Sequence, residues 1–157
     1  VEAAAGARMP EGYDHLVVAG PQLDDASMER ARSLAGPTTT VVRTCPGLAH
    51  RIREAAAVIS MGGYNTVCEI LAADTPALIV PREVPRLEQT IRARALAGAH
   101  LIDTLSQADA TPEALSRWLN GAVTTRTDRS RIARGGLAAA AHAAMTLIAP
   151  ANDGDLQ

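Results

Sequence analysis

One short segment of this 157-residue chain, residues 60–69, combines the residue types that an anion-binding site needs. Gly62 and Gly63 follow an apolar run, and a helical pattern begins directly after them. Glycines let the backbone approach a ligand closely, and the amide hydrogens of a first helical turn attract phosphate through their partial positive charge. Thr66 adds a hydroxyl group to that turn. The segment therefore predicts a phosphate-binding turn between a strand and a helix.

A carboxylate lies close behind this turn. Glu69 follows Thr66 by three residues, so the two side chains share one face of the predicted helix, about one turn apart. A carboxylate at that depth can accept hydrogen bonds from the two hydroxyls of a ribose. The spacing alone leaves a second interpretation open, in which Gly62 and Gly63 form only a tight turn and Glu69 is a solvated helix residue.

The loop that follows the next predicted strand contains side chains that suit sugars and phosphates. Glu88 and Gln89 begin the following helix, so both can reach over the same crevice. A carboxylate beside an amide suits recognition of sugar hydroxyls. Arg82, Arg86 and Arg92 can bind phosphate charge, and the alternative for each of them is a solvated surface position.

Short apolar runs alternate with helical patterns along the whole chain. The predicted strands are residues 16–20, 38–43, 57–60, 76–80 and 101–102. The predicted helices are residues 24–35, 47–55, 65–73, 87–99, 111–120 and 128–148, and residues 1–9 are also helix-like. This alternation predicts an α/β fold, a doubly wound parallel sheet with helices on both faces. Ligands of such sheets bind beyond the carboxyl ends of the strands, where both loops lie.

The composition excludes several classes of function. A net charge of −2 argues against a nucleic-acid partner, because such surfaces carry a basic excess. All 15 basic residues are Arg, so Schiff-base chemistry and a Walker-type lysine are excluded. Cys45 and Cys68 have no neighbours that would complete a metal site, and they favour a reducing compartment. With no signal or membrane-spanning segment, we expect a cytoplasmic protein with, at most, peripheral membrane contact.

Three features together resemble the C-terminal, nucleotide-sugar-binding domain of GT-B glycosyltransferases, and in particular family 28, which includes the transferase that forms lipid II. They are the segment Gly62-Gly63-Tyr64-Asn65-Thr66-x-x-Glu69, the run Pro76-Ala77-Leu78-Ile79-Val80-Pro81, and the pair Glu88-Gln89. The resemblance covers residues 12–120 and is most specific over residues 57–92. It implies a Rossmann-like domain.

The resemblance also implies a role for individual residues. The diphosphate would be bound by Gly62, Gly63, Tyr64, Asn65 and Thr66, and the ribose by Glu69. The donor sugar would be bound by Arg82, Glu88 and Gln89. The base would lie against the loop that contains Thr44, Cys45, Pro46 and Leu48, where family members present backbone groups to uracil. No cofactor and no metal is implied, and the donor substrate would be a UDP-sugar or another nucleotide-diphospho-sugar.

The chain also departs from the family pattern. Met61 stands where many relatives have His or Arg. Glu88 replaces the first of two amide side chains of the lipid II-forming transferase, so the identity of the donor sugar stays open. We expect residues 1–149 to form the donor-binding domain without its first strand, and residues 150–157 to form a flexible tail. The N-terminal acceptor-binding domain, which would be the partner of this domain, is not in the chain. We therefore expect the chain alone to be inactive.

The function that the resemblance implies is inverting transfer of a hexosyl group to an acceptor. In that mechanism a helix dipole and backbone amides stabilise the departing diphosphate in place of a metal ion. One alternative is a nucleotide-sugar hydrolase or 2-epimerase on the same fold. Another is a non-catalytic, donor-binding subunit of a split transferase. A receiver-like module is disfavoured because its cluster of acidic residues is absent from the predicted strand ends.

Overall fold

The computed structural model describes residues 1–82 and 87–132. The strands are β1 (His15–Val18), β2 (Thr39–Val42), β3 (Val58–Ser60), β4 (Ala77–Ile79) and β5 (Asp103–Thr104). The helices are α1 (Glu2–Ala5), α2 (Asp25–Leu34), α3 (Leu48–Glu54), α4 (Tyr64–Leu71), α5 (Glu88–Gly98) and α6 (Pro112–Ala122). The predicted alternation of strands and helices is confirmed, as is the α/β class.

All strand pairs of the described residues are parallel, and they form two hydrogen-bonded groups. β1 pairs with β2, and β3, β4 and β5 pair in that order. Within the described part of the chain, no backbone ladder joins β1 to β3. The sheet is therefore interrupted between these two strands.

β4 is the strand that organises the core, because it is buried on both faces. Ala77 and Ile79 pack on one face with residues of α3, α4 and α5. Leu78 packs on the opposite face with Leu115 and Leu119 of α6. Successive side chains of a strand point to opposite faces, so three apolar residues in a row require helices on both sides. The predicted doubly wound arrangement follows from this alternation.

The N-terminal residues connect the two groups of strands. Ala5 of α1 packs with Val17 of β1 and Val41 of β2, which are register partners. Ala7 packs instead with Leu78 of β4. A single short segment therefore contributes to the core beneath both groups.

Two helices begin with a side-chain cap. Asp24 accepts hydrogen bonds from the amide of Ser27 at 2.8 Å and from its hydroxyl at 2.7 Å. These bonds stabilise the carboxylate and lower the pKa of Asp24. Thr111 accepts a bond from the amide of Ala114 at 3.2 Å, at the start of α6. Both residues satisfy amide hydrogens that have no partner within the helix.

The last strand lies two residues later than the sequence predicts. We expected it at residues 101–102, whereas β5 is Asp103–Thr104. The amide of Leu101 donates instead to the carbonyl of Leu96, which closes the end of α5. The amide of Leu101 is therefore used at the end of α5, and pairing with β4 begins at Asp103.

Arg129 corrects a second prediction. The sequence predicts a helix from residue 128, but residues 128–132 form no helix and Arg129 is fully buried. Its guanidinium donates to the carbonyls of Ala73, Thr75 and Leu101 at 2.7, 2.9 and 2.9 Å. Arg129 therefore satisfies acceptors of the connections that lead into β4 and β5.

The remaining part of that predicted helix, residues 133–148, lies outside the described residues, as does the predicted tail at residues 150–157. Among the described residues, no helix combines the length and the apolar character that a membrane crossing needs.

The turn between β3 and α4 requires glycine at one of its two positions. Gly62 has a φ of +78°, in the left-handed region, and a Cβ there would lie 2.8 Å from Cγ2 of the buried Ile79. Gly63 has a φ of −56°, and the space that its Cβ would occupy is open. Gly62 is therefore needed for folding, whereas Gly63 is not.

Replacement of Arg129 by Met should lower the free energy of unfolding by about 3 kcal/mol, because buried carbonyls lose their donor. Urea denaturation of the full chain measures this change. Arg126→Met is the matched control, since Arg126 is exposed, and its effect should stay within about 0.5 kcal/mol. Equal stability of the two variants would contradict the role given to Arg129.

Gly62→Ala should lower the free energy of unfolding by about 2 kcal/mol, because alanine at this φ is strained and its Cβ meets Ile79. Gly63→Ala should change it by no more than about 0.5 kcal/mol. The same denaturation assay compares the two variants. A Gly62→Ala protein as stable as the wild type would show that the turn is not constrained as described.

Candidate functional site

The turn after β3 presents a helix start whose amides are available. Gly63 is the N-cap of α4, and no side chain of the described residues caps this helix. The first-turn residues Tyr64 and Asn65 are exposed, and Thr66 is half-buried. The amide of Gly62 donates to the hydroxyl of Ser60 at 3.1 Å, which shapes the turn. The positive end of α4 therefore faces solvent at the carboxyl end of β3.

Glu69 lies where the spacing predicts, on α4 and about one turn behind Thr66. Val67 and Ile70 are the buried residues of α4, whereas Thr66 and Glu69 are half-buried. The side-chain oxygens of Thr66 and Glu69 form no hydrogen bond with another described residue. The hydroxyl of Thr66 can therefore donate to or accept from a ligand, and the carboxylate of Glu69 can accept. Cys68, on the same helix, is a free cysteine with an exposed side chain.

The start of α5 comes next to this turn. Gln89 accepts a hydrogen bond through Oε1 from the backbone amide of Arg82, at 3.1 Å. Glu88 forms an ion pair with Arg92. The three residues predicted to bind a sugar are therefore ordered by local contacts, and Gln89 keeps its NH₂ group for a further acceptor.

One side chain joins the two loops. Nη1 of Arg92 donates to the carbonyl of Gly62 at 3.1 Å, and the guanidinium lies 5.5 Å from the centroid of the Tyr64 ring. The structure thus brings the predicted diphosphate-binding residues and the predicted sugar-binding residues together. The spacing of Glu88 and Arg92, four residues apart on a helix, is the sequence signal for their ion pair. The contact with Gly62 has no such signal.

The predicted base-binding loop lies beyond the carboxyl end of β2. Thr44 and Pro46 are exposed and Cys45 is half-buried. Leu48 is half-buried and packs against the cluster that contains Ile52. Part of its side chain therefore belongs to the core.

A cleft separates the two groups of strands at the same edge of the fold. Ala19, Gly20 and Leu23, which follow β1, line one side, and Met61 and Arg82 line the other. Its volume is about 500 Å³. Ligands of open α/β sheets bind beyond the carboxyl ends of the strands, and this cleft lies beyond the ends of β1 and β3. The sequence does not show that the loop after β1 lies opposite Met61.

In residues 1–82 and 87–132, no three side chains of His, Cys, Asp or Glu are grouped so that they could hold a metal ion. The positive end of α4 lies at the glycine turn, and the side chain of Arg92, which is paired with Glu88, contacts the turn. The amides and the dipole of α4 therefore suit the site to an anion.

Comparison with known proteins identifies the family of this domain. The sequence profile of the glycosyltransferase family 28 C-terminal domain matches residues 6–146. The UDP-N-acetylglucosamine–N-acetylmuramyl-(pentapeptide) pyrophosphoryl-undecaprenol N-acetylglucosamine transferase of Brucella canis is 32% identical over 103 residues. That match covers 64% of this chain and 27% of the relative, so the chain spans about a quarter of the relative's length.

Solved glycosyltransferases share the fold. The calicheamicin glycosyltransferase CalG4 matches with a TM-score of 0.69 and 20% identity, over 95% of this chain and 38% of that one. MurG of Acinetobacter baumannii matches with a TM-score of 0.54 and 23% identity, over 70% of this chain and 33% of that one. The resemblance inferred from the glycine turn is thereby confirmed, and the chain belongs to the glycosyltransferase family 28 C-terminal domain family.

Proposed function

We propose that this chain binds the nucleotide-diphospho-sugar donor of an inverting hexosyltransferase. The observation that carries the proposal is the uncapped start of α4, which lies at the carboxyl end of β3 beside the cleft. Helix amides and a helix dipole bind phosphate without a side-chain charge. The family membership supports this assignment, because it places the chain among glycosyltransferase domains.

The diphosphate lies, in this proposal, over the turn formed by Gly62 and Gly63, and receives hydrogen bonds from the first turn of α4. An acceptor hydroxyl attacks the anomeric carbon while the bond from that carbon to the diphosphate oxygen breaks. Negative charge then develops on the departing diphosphate, and the amides of Tyr64, Asn65 and Thr66 stabilise it. The proton of the acceptor passes to a base on the acceptor side, which we assign to the N-terminal domain.

Glu69 accepts hydrogen bonds from the ribose hydroxyls, and the backbone of residues 44–48 contacts the base. The Brucella canis relative is named for a UDP-N-acetylglucosamine donor, so UDP is the nucleotide that we propose first. Arg82 and Gln89 lie on the sugar side, where the NH₂ group of Gln89 donates to a sugar hydroxyl. Glu88 contributes there through the ion pair that orders the start of α5.

The proposal extends to the surroundings of the domain. An acceptor-binding domain completes the enzyme across the cleft, and this chain alone does not turn over. We propose a cytoplasmic location, where nucleotide sugars are available, with peripheral contact to a membrane-bound acceptor.

Calorimetric titration of the chain with UDP, dTDP and GDP tests the proposal. We expect saturable binding of UDP, weakened by Glu69→Ala by about 1–3 kcal/mol, as for a lost hydrogen bond to a charged group. Glu11→Ala is the matched control, since Glu11 is an exposed carboxylate in the turn before β1. Absence of binding by all three nucleotides would contradict the donor-binding proposal, and equal affinity of the two variants would contradict the role of Glu69.

Gly63→Ala provides an independent test of where the diphosphate lies. The methyl group enters open space next to the first amides of α4, so stability should be kept while UDP affinity falls several-fold. Titration with UDP and with uridine separates the two contributions, because uridine carries no phosphate. A Gly63→Ala chain that binds UDP as tightly as the wild type would place the diphosphate elsewhere.

A further inference from the structure

Arg92 contacts both sides of the glycine turn at which the diphosphate is proposed to bind. Its Nη1 bonds the carbonyl of Gly62, its Nη2 bonds the carboxylate of Glu88, and its guanidinium lies against the ring of Tyr64. The side chain is only 22% exposed, so these contacts are partly shielded from water. One residue of α5 therefore holds the last residue before the α4 cap, the first residue of α4 and the first residue of α5.

The bond to Gly62 decides which way the peptide between Gly62 and Gly63 points. In a trans peptide, the carbonyl and the following amide hydrogen point in opposite directions. With the carbonyl of Gly62 directed at Arg92, the amide hydrogen of Gly63 points to the opposite side. Glycine can reverse such a peptide at low cost because it has no Cβ. The reversed peptide would direct a carbonyl oxygen, rather than an amide hydrogen, at an anion on that side.

We propose that Arg92 is a positioning residue for diphosphate binding, which holds the carbonyl of Gly62 away from the ligand. This inference rests on the proposed donor-binding function. Arg92 acts through the turn and not as a counter-charge, because Glu88 already neutralises its guanidinium. The sequence predicts instead either direct contact of Arg92 with phosphate or a solvated surface position.

The geometry explains why arginine is needed at this position. Its planar guanidinium offers separate nitrogens to Gly62 and Glu88 and a flat face to Tyr64 at the same time. A lysine ammonium carries the same charge at a single point and has no flat face. Charge and geometry can therefore be separated by comparing Arg92→Lys with Arg92→Gln.

The experiment measures the affinity of the full chain for UDP and for uridine by NMR titration. We expect UDP affinity to fall about tenfold in both Arg92→Gln and Arg92→Lys, equivalent to ~1.4 kcal/mol, while uridine affinity stays unchanged. Arg94→Gln is the matched control, because Arg94 is an exposed arginine of the same helix. In the nucleotide-free protein, the amide resonances of Gly62 and Gly63 should shift in Arg92→Gln and not in Arg94→Gln.

Any one of five outcomes would overturn the inference. Retained UDP affinity in Arg92→Lys would assign Arg92 the role of a charge. An equal loss of UDP and uridine affinity would assign it a general structural role. Unchanged Gly62 and Gly63 resonances in Arg92→Gln would show that Arg92 does not position this turn. Equal UDP affinity of wild type and Arg92→Gln refutes the role of Arg92 alone, whereas a wild-type chain that binds no nucleoside diphosphate refutes the donor-binding function as well.

Discussion

The backbone of Gly62 lies directly against Ile79 of β4, and the position of the candidate site depends on this contact. No side chain fits between them, since even a Cβ would approach Ile79 Cγ2 to 2.8 Å. β4 is buried on both faces and cannot move to make room. The chain therefore leaves β3 through a left-handed glycine, and α4 begins immediately beyond it. The amides of α4 are available to a ligand because this turn leaves them at the edge of the sheet.

Arginine performs two different structural tasks in a chain that has no lysine. Arg129 lies in the interior, where its donors satisfy carbonyls of the connections into β4 and β5. Arg92 lies near the surface and joins two loops that are separated in sequence. Both depend on a guanidinium that donates in several directions at once. An Arg-rich composition is thus compatible with a specific role for single residues.

The family membership and the interrupted sheet together locate the proposed chemistry. The cleft opens between the end of β1 and the turn after β3, where no backbone ladder joins the described strands. The proposed diphosphate-binding residues lie on one side of it, and the proposed base-binding loop follows β2, which pairs with β1 on the other. A donor that spans this edge would contact both groups of strands. In the proposed function, this domain therefore supplies the donor side of the site.

The sequence by itself determined the α/β class, most of the strands and helices, and the glycine turn. These features depend on local patterns, such as apolar period and glycines between a strand and a helix. Patterns of this kind do not contain contacts between distant segments. The hydrogen bonds of buried Arg129 and the bond from Arg92 to Gly62 each join residues that are far apart in the chain. The start of β5 depended likewise on how α5 ends. Only the tertiary structure decided these, because a buried carbonyl takes whichever donor the packing brings within reach.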